Sequence, residues 1–355
     1  METSNPAMCD LSFSTQVTTD DHMLRLVEVF LSHPVLSCAF LVAALVTVCW
    51  YVRDSLSVDG FSRKHVFITG CDSGFGNLLA RRLDGIGFAV TAACLTEKGA
   101  ADLEAASSPR LKSLLLDVAD SSSIRRAVQL VSKEVGERGL WGLVNNAGRA
   151  VPIGPPEWMQ LEDFKKVLDV NLMGVVEVTL QFLPLLKHAQ GRVVNVASIL
   201  GRLSLIGGGY CPSKYGVEAF SDSLRGNMQP FGIKVSIIEP GFFKTAVTQI
   251  DLIEADLKRL WSRLPPNIKD SYGPTYLNDY LKCQRLSLGI LCSPDISRVT
   301  GCMEHALTAR FPRTRYSVGW DAKLLWIPLS YLPSFVSDFI VSVLLPTFKD
   351  KTPVK

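Results

Sequence analysis

Several signals are missing from this chain, and each absence narrows what it can be. No C-x-x-C pair occurs, and the nine cysteines are scattered from Cys9 to Cys302. An odd, unpatterned set reads as reduced thiols rather than as a disulfide framework. The five histidines are equally dispersed and make no zinc spacing, so zinc-dependent chemistry is not expected. The net charge is only +3 and no dense Lys/Arg run occurs, which argues against a nucleic-acid partner. There is no N-x-[ST] sequon, which suits a domain facing the cytosol, and no repeat or low-complexity segment.

Charge itself is absent from Val35 to Val52, a run of 18 residues. At about 1.5 Å per residue this makes roughly 27 Å of helix, close to the hydrocarbon thickness of a bilayer. Val29 to Leu31 can lengthen it, and Trp50 and Tyr51 suit an interfacial belt. The polar start of the chain, without a short basic region, argues against a cleaved leader. The sequence therefore predicts a signal anchor over 29–52, with a buried core helix as the competing reading, behind a polar segment 1–28. Arg53, Arg63 and Lys64 follow the span against Arg25 just before it, which places the rest of the chain on the cytosolic side. A second apolar stretch, Leu324 to Phe348, holds three prolines and Asp338. It predicts a broken helix lying in the membrane interface within a hydrophobic segment 321–355, or else a C-terminal packing element.

Between these ends the pattern alternates. Short β-branched runs fall at 65–69, 88–94, 111–116, 142–145, 192–197 and 233–238, and helix-length segments at 77–83, 122–137, 161–186 and 213–228 separate most of them. Nearly continuous apolar strands alternating with helices predict a parallel sheet covered on both faces. The expectation is an α/β, Rossmann-type doubly wound sheet forming a single catalytic domain over residues 60–320. The stretch after Gly241 reads as irregular, and its Phe242, Phe243, Trp261, Tyr272, Tyr276 and Tyr280 suggest a lid over a long apolar alcohol, or ordinary aromatic packing.

The first strand runs into TGCDSGFG, Thr69 to Gly76, and then into a helix. Glycines at 70, 74 and 76 allow a tight turn and let a pyrophosphate approach the helix N-terminus, where free N–H groups favour an anion. Further on, YCPSKYG places Tyr210 and Lys214 four residues apart, one above the other on a helix, whereas Tyr215 turns away. Pro212 lies between them, so the helix is expected to begin there, with Tyr210 at its lip. Oxidising an alcohol requires a base near the working pH. Bringing a phenol from about 10 to about 7 takes roughly 4 kcal/mol. One ammonium about 4 Å away, at an effective dielectric near 20, supplies about that much.

The ordered set TGxxxGxG, NNAG at 145–148, Asn171, Ser198, Tyr210-x-x-x-Lys214 and PG at 240–241 resembles the short-chain dehydrogenase/reductases. Longer stretches, among them ITGCDSGFGNLLARRL and GGGYCPSKYGVEAFSDSLR, are similar to the microsomal retinol and 3α-hydroxysteroid dehydrogenase branch, over roughly residues 60 to 345. The resemblance implies Tyr210 as acid/base, Lys214 as its electrostatic partner and a ribose ligand, Ser198 as donor to the substrate oxygen, and Asn171 as a water-holding relay. It further implies cofactor contacts from Gly70, Asp72, Ser73, Gly74, Phe75, Gly76, Asp117, Asn145, Ala147, Gly148, Pro240, Gly241 and Thr245. Ser204, Ser213 and Tyr215 read as packing or turn residues.

Cofactor choice turns on the adenosine ribose. Asp72 and the absence of a basic residue in 71–76 favour NAD over NADP, whereas Glu97 beside Lys98 gives a mixed signal. The expected reaction is oxidation of retinol to retinal, with a 3α- or 17β-hydroxysteroid as the alternative substrate and a non-catalytic retinoid- or nucleotide-binding protein as the remote one. The expected partners are a small lipophilic alcohol and membrane lipid, with a homodimer possible, and the expected location is the endoplasmic reticulum membrane.

Overall fold

The computed structural model describes residues 32–344. The polar segment 1–28, the first residues of the expected anchor and the chain beyond 344 lie outside that range. Two compact units divide the chain at Leu56.

The first unit contributes α1 (Pro34–Ser55), whose most apolar window has a mean hydropathy of 2.3 and no buried share. Val35, Leu45 and Val46 stand well exposed along it. A core helix would bury one stripe; α1 buries none, so it is a candidate membrane span.

The second unit is built on a seven-stranded parallel sheet in the order β3-β2-β1-β4-β5-β6-β7. Its elements run β1 (His65–Thr69), α2 (Gly74–Gly85), β2 (Ala89–Cys94), α3 (Glu97–Ala105), β3 (Leu111–Leu115), α4 (Ser121–Val135) and β4 (Gly142–Asn145). There follow α5 (Leu161–Leu168), α6 (Gly174–Ala189), β5 (Arg192–Val196), α7 (Tyr210–Met228) and β6 (Lys234–Pro240). The chain continues through α8 (Ile250–Ser262), α9 (Pro266–Tyr272), α10 (Tyr276–Leu291), α11 (Ser297–Thr308), β7 (Arg315–Val318), α12 (Ile327–Ser330) and α13 (Ser334–Leu344). Every residue of β1, β4 and β5 is buried, as strands covered on both faces must be.

Helices pack on both faces and give two cores. Leu79, Leu83, Val299 and Met303 join the sheet on one face, and Ile124, Val131, Phe182 and Leu186 on the other. Each such side chain contributes about 1.5–3 kcal/mol by leaving water. The strand order reverses between β1 and β4, which places a ligand crevice outside the carboxyl ends of the strands.

Three differences from the sequence reading have physical causes. The predicted helix 161–186 is α5 and α6 joined by a π-helical turn, Asp169–Met173; apolar periodicity does not register an extra residue in a turn. The stretch after Gly241 is helical, not irregular, because its apolar residues serve a separate small core. Strand β7 escaped notice because four residues carry too little periodicity to read. The C-terminal stretch is broken as expected, with α12 ending before Pro333 and α13 presenting Phe335, Phe339 and Val343 as an exposed stripe.

Candidate active site

The turn after β1 is shaped by what it cannot accommodate. Gly70 has φ +71°, and a Cβ there would lie 2.7 Å from Ala147 Cα. A Cβ on Gly76 would lie 2.4 Å from Gly70 O and 2.6 Å from Asn146 Nδ2. The loops after β1 and β4 thus touch backbone to backbone, and Asn146 clamps them by donating from Nδ2 to Thr69 O and Gly70 O, both at 2.9 Å. Asp72 reaches the other way. Its carboxylate accepts from Leu95 N at 2.8 Å, Thr96 N at 2.9 Å and Thr96 Oγ1 at 2.7 Å, fixing the exit of β2.

A cleft of about 600 Å³ opens here. Gly70, Asp72, Ser73, Gly74 and Phe75 line one end, with Asp117, Ala147 and Gly148 beside them. Ser198, Tyr210 and Lys214 line the middle, and Pro240, Gly241 and Thr245 the far wall. Two residues expected at the cofactor do not line it. Gly76 lies beneath the turn, packed on Gly70 O. Asn145 is the last residue of β4 and donates inward, to Thr179 Oγ1 and Asn195 Oδ1, both at 2.8 Å. Its neighbour Asn146, the first residue past β4, lines the cleft instead. A backbone cradle at a helix N-terminus and a long cleft suit a dinucleotide.

Helix α7 begins at Tyr210, with Pro212 inside its first turn, two residues earlier than expected. A proline there loses no hydrogen bond, so Tyr210 and Lys214 belong to one regular helix. The Lys214 Nζ stands 5.6 Å from the Tyr210 ring centroid and donates to Val196 O at 2.8 Å. Ser198, two residues beyond β5, lines the cleft with Tyr210 and accepts from Leu200 N at 3.1 Å.

The electrostatic expectation for Tyr210 is reversed in the protein alone. Burial pushes the phenol up to about 12 against the Ser198 hydrogen bond, and burial pushes Lys214 down to about 8 against the Glu218 carboxyl. Desolvating the pair costs more than one ammonium at this distance returns. An oxidised nicotinamide in the cleft would add a second positive charge that favours the phenolate.

Asn171 sits in the π-helical turn, fully buried. Its Oδ1 accepts from Arg149 N at 2.8 Å, and its Nδ2 donates to Arg149 O at 2.9 Å. It does not line the cleft, but its Oδ1 and the Lys214 Nζ both come within 4 Å of where a Cβ on Gly148 would stand. Ser213, read as a turn residue, bridges Asn171 to Tyr210 O. Asp321 was also missed: buried to 1 % exposure, it accepts from Phe242 N at 2.9 Å and holds the turn after β6. No local pattern marks it, since its partner is 79 residues away.

The expected aromatic lid divides. Trp261, Tyr272, Tyr276 and Tyr280 surround Trp158 with centroids 4.9 to 6.0 Å away and form a core of their own. Phe243, against Phe75 at 6.0 Å, lines the cleft, whereas Phe242 packs on Trp326. From α8 it is Leu252 and Ile253 that reach the cleft, opposite Val151. Asp163 of α5 pairs with Arg259 on α8 and Arg263 just past it.

A doubly wound sheet with a glycine cradle and a Ser–Tyr–Lys cluster defines a nicotinamide-dependent alcohol dehydrogenase, and the comparisons agree. The short chain dehydrogenase family matches residues 64–253. Retinol dehydrogenase 7 of Rattus norvegicus is 58% identical over 289 residues, 81% of this chain and 91% of the relative. 17-beta-hydroxysteroid dehydrogenase type 6 of Homo sapiens is 53% identical over 293 residues, 82% of this chain and 92% of the relative. Among solved structures, a short-chain dehydrogenase from Streptomyces avermitilis superposes with a TM-score of 0.60 at 25% identity, covering 79% of this chain and 93% of its own. The chain belongs to the short-chain dehydrogenase family, in its retinol and hydroxysteroid dehydrogenase branch, and is an oxidoreductase.

Proposed function

We propose that this protein is a membrane-anchored, NAD-dependent retinol dehydrogenase that oxidises retinol to retinal. The observation that carries the reading is the position of Tyr210, Lys214 and Ser198 in one cleft that continues past them into the apolar wall of Val151, Leu252 and Ile253. Retinol presents a primary alcohol on a long apolar body, and that wall accommodates the body while Ser198 and Tyr210 meet the hydroxyl.

Nicotinamide, when bound, accepts the hydride from the carbinol carbon. The protein's own groups handle the proton. Ser198 Oγ donates to the substrate oxygen and orients it, the Tyr210 phenolate takes the hydroxyl proton, and the Lys214 ammonium favours that phenolate. Asn171, held by Arg149 and Ser213, fixes the backbone beneath the pair and the place for a relay water.

Asp72 supports NAD. Its carboxylate lies at the exit of β2, the adenosine-ribose end, where a 2′-phosphate would meet negative charge. The apolar α1 supports a bilayer span within 29–52, and the stripe on α13 supports an interfacial position for 321–355. We further place the enzyme in the endoplasmic reticulum membrane, with the catalytic domain toward the cytosol, and allow a homodimer. The 53% identity to a 17-beta-hydroxysteroid dehydrogenase keeps a steroid alcohol as the second reading.

The test is an assay of membranes containing the full chain, with NAD or NADP, against all-trans-retinol, 11-cis-retinol and 3α- and 17β-hydroxysteroids side by side. A retinol should give the highest kcat/KM with NAD. A steroid preference would transfer the assignment to the second reading, and a preference for NADP of about tenfold or more would reject the cofactor assignment.

A further inference from the structure

Beyond the cleft, α7 continues one turn past Lys214 to Glu218, a carboxylate buried to 6 % exposure. Tyr210, Lys214 and Glu218 follow one another at intervals of four and share a face of the helix. Its Oε2 accepts from Arg315 Nη2 at 3.0 Å, whereas Oε1 is buried without a hydrogen-bond partner. The turn that follows Ser198 closes on the same place. A Cβ on Gly201 would lie 2.8 Å from Lys214 O and 3.1 Å from Glu218 Cγ.

The charged groups around Glu218 come from each element packed against it. On its own helix are Lys214 and, one turn further, Asp222, which accepts from Arg315 Nη1 at 3.1 Å and Nη2 at 2.8 Å and pairs with Arg225. From β6 comes Glu239, 1 % exposed, which accepts from Arg202 Nη1 at 3.3 Å and Ser317 Oγ at 3.0 Å. From β7 comes Arg315, whose Nε stands 3.5 Å from Glu239, and from the turn after Ser198 comes Arg202. Glu218 and Glu239 thus share one guanidinium, and Glu239 is followed by Pro240 and Gly241 of the cleft wall.

Glu218 gives Arg315 only one of its oxygens and leaves Oε1 buried without a hydrogen-bond partner, one helical turn beyond Lys214. We infer that Glu218 is a positioning residue for proton transfer: its ionised carboxyl sustains the Lys214 ammonium, and so the readiness of Tyr210 to lose its proton, and its protonation withdraws that support. The electrostatics are in range. Burial first, then the Glu239 charge, push the Glu218 carboxyl up to about 7, with Arg315 and Arg202 opposing. Lys214, pushed down to about 8 by burial, has Glu218 as the group that favours its charge. The two groups titrate over adjoining ranges and are coupled.

The inference rests on Tyr210 and Lys214 being the proton-transfer pair, which Tyr210→Phe tests separately. Activity surviving that change would sink the pair and the role of Glu218 with it. An unmoved alkaline limb in the Glu218 variants, with Tyr210→Phe inactive, would sink the role of Glu218 alone. The experiment is the pH profile of kcat/KM for wild type and Glu218→Gln, in membranes, with whichever of retinol or steroid the wild type oxidises. Near pH 6 the wild-type carboxyl is protonated too, so the two should superimpose. Above about pH 7 the variant lacks the negative charge, its lysine loses the proton sooner, and its alkaline limb should move down by about half a pH unit or more. Glu218→Asp, which keeps the charge one methylene further off, should fall between them. If the Gln variant fails to bind cofactor, Glu218→Met, of similar reach and without polar atoms, carries the same expectation. A uniform loss at every pH, or an unmoved alkaline limb, would overturn the inference.

Discussion

Asn171 Nδ2 donates to Ser213 Oγ at 3.2 Å, and the same hydroxyl donates to Tyr210 O at 2.6 Å. One serine therefore joins the π-helical turn to the first residue of α7. Removing it leaves the buried Asn171 amide short of an acceptor, at about 1–3 kcal/mol, and frees the lip of α7. Ser213→Ala should lower kcat by about tenfold, with the KM for cofactor nearly unchanged. Steady-state kinetics decide; an equal rise in cofactor KM would point to general loosening.

The pair itself gives a sharper result. Tyr210→Phe should cost about 10³-fold or more in kcat while cofactor binding, followed by quenching of protein fluorescence, persists. Because Lys214 lies down near 8, its ammonium is present below that pH and lost above it. The wild-type kcat/KM should therefore fall on the alkaline side of about pH 8, and Lys214→Arg, which stays charged, should lose that limb at the expense of rate.

Asp72 holds the exit of β2 and on the proposed reading would repel a 2′-phosphate, so its replacement should affect both. Asp72→Ser should bring the NAD and NADP values of kcat/KM closer by about tenfold, and loss of its three accepted hydrogen bonds should cost roughly 1–3 kcal/mol. Kinetics with both cofactors, together with a thermal melt, separate the two effects. Unchanged selectivity would remove Asp72 from cofactor choice.

Asp163 fastens α8 to α5. Burial pushes its carboxyl up, but Arg263, the Gln160 backbone and Arg259 outweigh it and hold the group below its ordinary value. A depressed carboxyl adds stability above its unfolded value of about 4, and that stability is lost as pH falls through the lower folded value. Asp163→Asn should therefore destabilise by about 1–3 kcal/mol at neutral pH, since its arginines are partly exposed, and by less in acid. Urea unfolding near pH 7 and near pH 3.5 checks both the size and the trend.

What could be read from the chain and what could not follow from the range of the interactions. The anchor-length run at 35–52, the alternation of buried strands with helices, the glycine turn at 70–76 and the Tyr210–Lys214 spacing are patterns between near neighbours. Periodicity and local sterics decide those, so the sequence alone determined the fold class and brought forward Tyr210 and Lys214 as the proposed proton-transfer pair. Asn146 taking the place expected for Asn145 in the cleft, Ser213 beneath Asn171, Asp321 under the turn after β6 and the Glu218–Arg315–Glu239 cluster join groups far apart along the chain. Only the closing of the sheet decided these, and with them the protonation of the pair, because burial of Tyr210 and Lys214 is a property of everything packed around them.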